Sequence, residues 1–385
     1  MAQTDGKTIV NSWNEWDSLK RVIVGRPDGS CQPKSDPGWD YYCPKAGFEF
    51  GPMPDEMIEK ATDQMDTFSK ILENRGVLVE RAVPIECNQK ASTPDWEVEV
   101  MHGCMPPRDV LLPVGNEILE CTMSIRARWY EYLCYRPILE RYFREDPKFQ
   151  WISAPKPRLT DESYEKDYYH NFNNVWTKAE KKKRMLERRW HLTEKEPLFD
   201  AADGMRFGKD VIWQTSSVSN GLGIDWLRRH FKEKDIRLHV VQFTGDYHAW
   251  HIDIHLVPLR PGLCMYNPKW YYITPELENF FKINDWELIP AAEPVHVYDV
   301  NCGVVGARRS TEWISMNTFS IDPKTVCVEA HETKYMDQLD KLGFEVIPVP
   351  FADVFPFGGG LHCATVDVYR EGNCEDYFPN QIDGF

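Results

Sequence analysis

The sequence contains no apolar run approaching the ~20 residues of a membrane span, no C-x-x-C pair, and no glycine-rich phosphate loop behind its first predicted strand. Each absence removes a class. Eleven cysteines are scattered through 385 residues, so a small disulfide framework is not expected and a reducing, cytoplasmic setting is. Met1 to Gly6 lack the apolar stretch of a signal peptide and the Arg-rich character of a transit peptide. Positive charge is also scarce. A formal net charge of −15 argues against nucleic acid or an acidic membrane as partner, and it suits small cationic substrates.

What is present is ample core material, 42% hydrophobic with 13% aromatic residues, in a length that allows one large or two ordinary domains. An amphipathic helical pattern, a Gly, Asp or Pro break and a short apolar strand recur five times. The units are 65–84, Ile138 to Pro155, Leu227 to Phe243, Leu277 to Pro290 and Tyr335 to Phe351. Five further strands are expected at Arg21 to Val24, Asp109 to Val114, Asp210 to Gln214, Leu263 to Tyr266 and Thr325 to Val328. Such self-similarity indicates a circular or stacked α/β arrangement. A doubly wound sheet also fits alternating helices and strands, but the missing phosphate loop weakens it. Two insertions, 27–54 and 155–196, fall outside the repeat. The second carries the basic run Lys181 to Arg184 inside a predicted charged helix, Lys178 to Trp190, and both read as loops able to cover a site.

Three stretches carry chemistry. Gly358-Gly359-Gly360-Leu361-His362-Cys363 strips side chains from around a thiol, and the Ala364 to Val368 run behind it reads as a supporting strand. Cys363 is the candidate nucleophile. His248-Ala249-Trp250-His251-Ile252-Asp253-Ile254-His255, if a strand, directs His251, Asp253 and His255 to one face. From the residues alone that face is either a metal site shared with His248, or a general acid/base, His251, beside a carboxylate, Asp253, aimed at a cation. Asp200 and Asp203 follow an apolar start among small residues, and Asp109 stands at the mouth of a strand. A thiol, a histidine and several aspartates together suggest thiol chemistry on a guanidinium or amidine.

On these residues the chain resembles the L-arginine:glycine amidinotransferase family almost end to end. The resemblance rests on Asn14-Glu15-Trp16-Asp17 leading into Val22-Ile23-Val24-Gly25, Pro107-Arg108-Asp109, Val114 to Ile118 and Ala154-Pro155-Lys156-Pro157. It continues through Phe199-Asp200-Ala201-Ala202-Asp203, His251-Ile252-Asp253, Trp313 to Asn317 and His362-Cys363. It implies a single domain, 1–385, folded as a five-bladed, pseudo-fivefold α/β propeller of ββαβ-type modules around a central channel. No metal or cofactor is implied, and a homodimer is. Position by position, Cys363 matches the nucleophile, His251 the general acid/base and Asp200 its paired carboxylate. Asp109 and Asp253 match the residues that grip the guanidinium, and Ser310 and Thr311 stand where the family has two serines near the donor's amino-acid end.

The implied reaction moves the amidino group of arginine through an amidino-cysteine to a primary amine, with release of ornithine. Departures cluster at the substrate tails. Trp270 replaces an arginine that binds the donor's carboxylate in the glycine-using enzymes, with Lys269 as a possible substitute, and Gly103 replaces a tyrosine. His362-Cys363-Ala364-Thr365 and Ser219 to Ile224 look closer to the branch that makes guanidino toxins. These changes favour an acceptor larger than glycine. An arginine deiminase-like hydrolase, a zinc-binding module on His248, His251, Asp253 and His255, and a catalytically silent scaffold are the competing readings.

Overall fold

The structure, a computed structural model, describes residues 8–38, 50–242, 251–269, 274–295 and 312–385. Its organising unit is a β-hairpin followed by a helix and a third strand that returns parallel to the hairpin's second strand. The first such sheet takes strands from both ends of the sequence: β1 (Ser18–Val24), then helix α1 (Asp55–Asn74) and β2 (Leu78–Arg81), with the last strand of the chain on the other side of β1. The second comprises β3 (Leu111–Val114), β4 (Glu117–Glu120), α2 (Arg136–Glu145) and β5 (Gln150–Ser153). The third has β6 (Gly204–Phe207), β7 (Asp210–Gln214), α3 (Gly221–Lys232) and β8 (Arg237–Val241). In the fourth are β9 (Leu256–Arg260), β10 (Leu263–Tyr266), α4 (Pro275–Lys282) and β11 (Glu287–Pro290). The fifth has β12 (Phe319–Asp322), β13 (Thr325–Glu329), α5 (Thr333–Lys341) and β14 (Glu345–Val349). The closing strand, β15 (Thr365–Glu371), runs antiparallel to β1, with Val24 opposite Thr365 and Ser18 opposite Glu371.

Local chemistry explains each part. The middle strands β4, β7 and β13 are buried along their whole length, as expected where a strand is covered on both faces. Helix α1 turns Ala61, Met65, Phe68 and Leu72 inward at helical spacing, and α2 does so with Ile138, Leu139 and Tyr142. Two-residue hairpins join β3 to β4 and β6 to β7. Gly115 (φ 61°) and Gly208 (φ 70°) supply the left-handed backbone those turns need.

The apolar cores lie between successive modules. One packs Ile23 and Val366 of the first on Val110, Ile118 and Leu139 of the second. Others join Leu119 to Leu227 and Phe231, Phe207 to Leu256 and Phe280, and Leu259 to Val326 and Leu339. The last brings Phe319 and Cys327 of the fifth module against Val22, Phe68 and Leu72 of the first. The expected strands appear in all five modules, and the expected charged helix in the second insertion spans Lys178–Leu186, opened by a Thr177 capping box. Among the described residues no helix is long and apolar enough to cross a membrane.

Candidate active site

Each module delivers a polar residue just ahead of its first strand. Asp109 lies in the short helix Pro107–Val110, two residues before β3. Asp200 caps the helical turn Ala201–Asp203 that leads into β6, and His251 occupies the same place before the turn Ile252–Ile254, which contains Asp253 and leads into β9. This corrects the strand reading of the histidine-rich stretch. His251 and Asp253 are delivered by a helical turn, and the strand begins only at Leu256. Cys363 follows the glycine run and precedes β15.

The backbone around these residues is pinned by buried polar groups. Thr122 Oγ1 accepts the Phe199 N–H at 2.7 Å and donates to the Phe199 carbonyl at 2.8 Å, which fixes the residue before Asp200. Asn220, the N-cap of α3, accepts from the N–H groups of both Gly223 and Leu198 and donates to the carbonyls of Thr193 and Glu196. Gly223 sits so close to this segment that a Cβ there would meet the Leu198 carbonyl oxygen at 2.2 Å. Asp203, two residues before Met205, accepts from Ser216 and Ser219.

Charge is concentrated and deeply buried. His251 Nδ1 is 3.5 Å from Asp109 Oδ1, and Nε2 is 3.5 Å from Asp200 Oδ2. Burial pulls the imidazole down, but the carboxylates of Asp109, Asp200 and Asp203 outweigh it and lift it to about 9. Burial and Asp200 push Asp109 up to about 6, against the pull of His251 and Arg128. Asp253 would also rise on burial, yet hydrogen bonds from His362 and the thiol hold it at about 2. The Cys363 thiol donates to Asp253 Oδ2 at 3.1 Å. Burial and the Asp253 and Asp109 carboxylates drive that thiol well above its ordinary range, toward the protonated form.

Asp109 Oδ1, both Asp200 oxygens and Asp253 Oδ1 are buried with no hydrogen bond of ordinary geometry among the described residues, and only Asp109 Oδ1 and Asp200 Oδ2 face a cation there, the His251 ring at 3.5 Å. Buried carboxylate oxygens without donors are costly unless a cation meets them, and a planar guanidinium brings five N–H donors and a positive charge. Asp109, Asp200 and His251 also lie close enough to hold a metal ion. The carboxylates flank different nitrogens of the ring, an arrangement that pairs charges across the imidazole.

No family model matches the chain, but its relatives are unambiguous. Glycine amidinotransferase, mitochondrial, of Xenopus tropicalis is 37% identical over 391 residues, spanning 96% of this chain and 85% of the relative. The chain belongs to the amidinotransferase family. L-arginine:L-lysine amidinotransferase of Pseudomonas savastanoi pv. phaseolicola is also 37% identical, over 374 residues, with 96% of each chain covered. Among solved structures, an amidinotransferase of Microseira wollei from the saxitoxin biosynthetic pathway superimposes with a TM-score of 0.83 at 36% identity, covering 96% of this chain and 99% of the other.

In this amidinotransferase Cys363, His251, Asp200, Asp109 and Asp253 are all buried, Cys363 in contact with Asp253 and His251 in contact with Asp109 and Asp200. Gly103 is buried, with Ser30 Oγ 2.7 Å from where a Cβ would stand. Lys269 is exposed just beyond β10. Trp270, Ser310, Thr311 and His248 lie outside the described residues.

Sequence reasoning missed the supports. Arg128 donates to Asp109 Oδ2 at 2.8 Å and through Nε and Nη2 to Glu131, whose Oε1 meets His102 Nδ1 at 3.0 Å. His362 bridges Asp253 Oδ2 at 2.9 Å and Glu15 Oε2 at 3.2 Å. Glu15 and Asp367 in turn pair with Arg206, while Arg108 and Arg370 close on Asp367. The available signal was Asp367, a charge inside the predicted closing strand.

Proposed function

We propose that this amidinotransferase takes the amidino group from L-arginine and passes it to a primary amine by way of an amidino-Cys363 intermediate. The observation that carries the reading is a buried thiol donating to Asp253, together with the buried carboxylates of Asp109 and Asp200 on either side of His251. In the first half-reaction the guanidinium engages these oxygens and offsets the charges that hold the thiol protonated. Sulfur bonds to the guanidinium carbon as the carbon–nitrogen bond to the ornithine side chain breaks. His251, protonated at neutral pH, gives its proton to the departing nitrogen. The thiol proton, directed at Asp253 Oδ2, restores the balance, so one proton leaves sulfur and one arrives on ornithine. In the second half an amine attacks the same carbon, its proton passes to His251, the carbon–sulfur bond returns its electron pair to sulfur, and the proton set aside at Asp253 goes back to the sulfur to regenerate the thiol.

The closed five-bladed ring and single-domain organisation are supported by five intermodule cores, the last of which joins the fifth module to the first. A homodimer is the assembly suggested by the family resemblance. For the acceptor, the exchange of an arginine for Trp270 favours an amine longer than glycine, while the space beside Gly103 is taken by Ser30, and relatives named for glycine and for lysine bracket the choice.

The test is mass spectrometry of products after incubation with arginine and a panel of glycine, lysine, diamines and γ-amino acids. Ornithine with a new guanidino product is expected, with higher kcat/KM for the longer amines. Citrulline without added amine would favour the hydrolase, and a preference for glycine would overturn the acceptor reading alone.

A further inference from the structure

Four modules contribute a residue to the proposed chemistry just ahead of their first strand. The corresponding residue of the fifth module is Asn317, two positions before β12 and directly after the helical turn Glu312–Met316. Cys363 and Asp109 hold the same two-residue offset from β15 and β3. Asn317 is buried, and its surroundings fix it on several sides. Its Oδ1 accepts the Cys363 backbone N–H at 2.9 Å, and its own carbonyl accepts the His362 N–H at 3.3 Å. Gly360 packs against it so closely that a Cβ there would meet Asn317 Cβ at 2.7 Å.

That clamp decides which way the amide faces. A backbone N–H can only donate, so the oxygen must be the atom turned to it and the NH2 group must take the other side. There Nδ2 donates to Cys363 Sγ at 3.3 Å, with the Asp253 carbonyl 3.5 Å away. A hydrogen bond to sulfur is stronger when the sulfur is ionised and so favours the thiolate. The sulfur otherwise faces a carboxylate oxygen of Asp253, which favours the thiol.

We infer that Asn317 is a catalytic residue: its amide hydrogen bond to Sγ stabilises the Cys363 thiolate and aims it at the guanidinium carbon in the first half-reaction, and supports the same sulfur as leaving group in the second. The inference rests on Cys363 being the nucleophile.

Asn317→Asp tests it, since the variant keeps an oxygen for the Cys363 N–H and replaces the donor to sulfur by an acceptor. Two quantities are read: the rate at which arginine without acceptor forms an amidino adduct on the Cys363 peptide, and the pH dependence of Cys363 alkylation by iodoacetamide. The adduct is expected to form about 10- to 100-fold more slowly, the range for a hydrogen bond to a charged group, and the alkylation limb to move to higher pH, with the KM for arginine little changed. An unaltered adduct rate with an unaltered alkylation profile overturns the inference, as does a variant that is merely less stable while its pH profile stays in place. Where the aspartate variant does not fold, Asn317→Ser, whose hydroxyl oxygen can meet the same N–H, is read in the same two assays. Ornithine release by Cys363→Ala, or an adduct on another residue of the unaltered protein, removes the nucleophile itself and the inference with it.

Discussion

Replacing Asp200 by asparagine should remove one of the three carboxylates that hold His251 charged. The Asp200 carboxylate stands 3.5 Å from Nε2, and a unit pair at that distance with an effective dielectric of ~20 contributes about 4–5 kcal/mol, equivalent to roughly three pKa units. Asp109 and Asp203 remain in the variant, and burial, the largest single influence on this ring, continues to act against the charge. His251 is therefore expected to fall from about 9 to the ordinary value of ~6.5 or below. At a pH of about 8 the protonated fraction then drops from roughly nine-tenths to a few per cent, so loss of the general acid alone slows ornithine release about 30-fold. The assay is the pH profile of kcat/KM for arginine, with the imidazole titration followed by NMR. An alkaline limb that stays near its original position in the variant would refute the reasoning. Stability supplies a second reading. A group raised on folding adds stability in full below its unfolded value and loses it as pH rises through its folded value, here between about 6.5 and 9. The variant should show a smaller loss across that window in urea titrations.

Two other outcomes test the surroundings of the site. Arg128→Met leaves Asp109 and Glu131 as buried carboxylates without their guanidinium; a loss of about 3–5 kcal/mol is expected by urea denaturation, and an unchanged midpoint would show that the pair does not depend on it. On the proposed role of His251 as a proton carrier between two carboxylates, dialysis against a chelator is expected to leave amidino transfer intact. Stoichiometric zinc whose removal abolishes activity would instead assign Asp109, Asp200 and His251 to a metal.

The repeat was legible because its helices expose a polar face and its middle strands do not, so the change of period marks every unit. The hairpin partners were harder to see. Gly204–Phe207 and Phe319–Asp322 are four residues each, as is the middle strand Glu117–Glu120 that also went unseen, too short for alternation to separate from a turn. Cys363, His251 and the three aspartates stood out because polar residues beside glycine, alanine or apolar runs are conspicuous. Arg128, Glu131 and Asn317 did not. Their significance lies in partners remote in sequence, as in the Asn317 amide turned to a thiol on the closing strand, and no local pattern encodes such a pairing.

The pairing of β15 with β1 also sets when the proposed site can be completed. A chain leaving the ribosome can complete the second to fifth modules, and with them Asp109, Asp200, His251, Asp253 and Asn317, while the first sheet still lacks its outer strand. The thiol reaches its place only when the two ends of the sequence meet, a long-range closure of the sort that folds slowly. On the proposed assignment the carboxylates would take position before the nucleophile, and a chain clipped ahead of β15 would keep Asp109, Asp200 and Asp253 without the closing strand that follows Cys363.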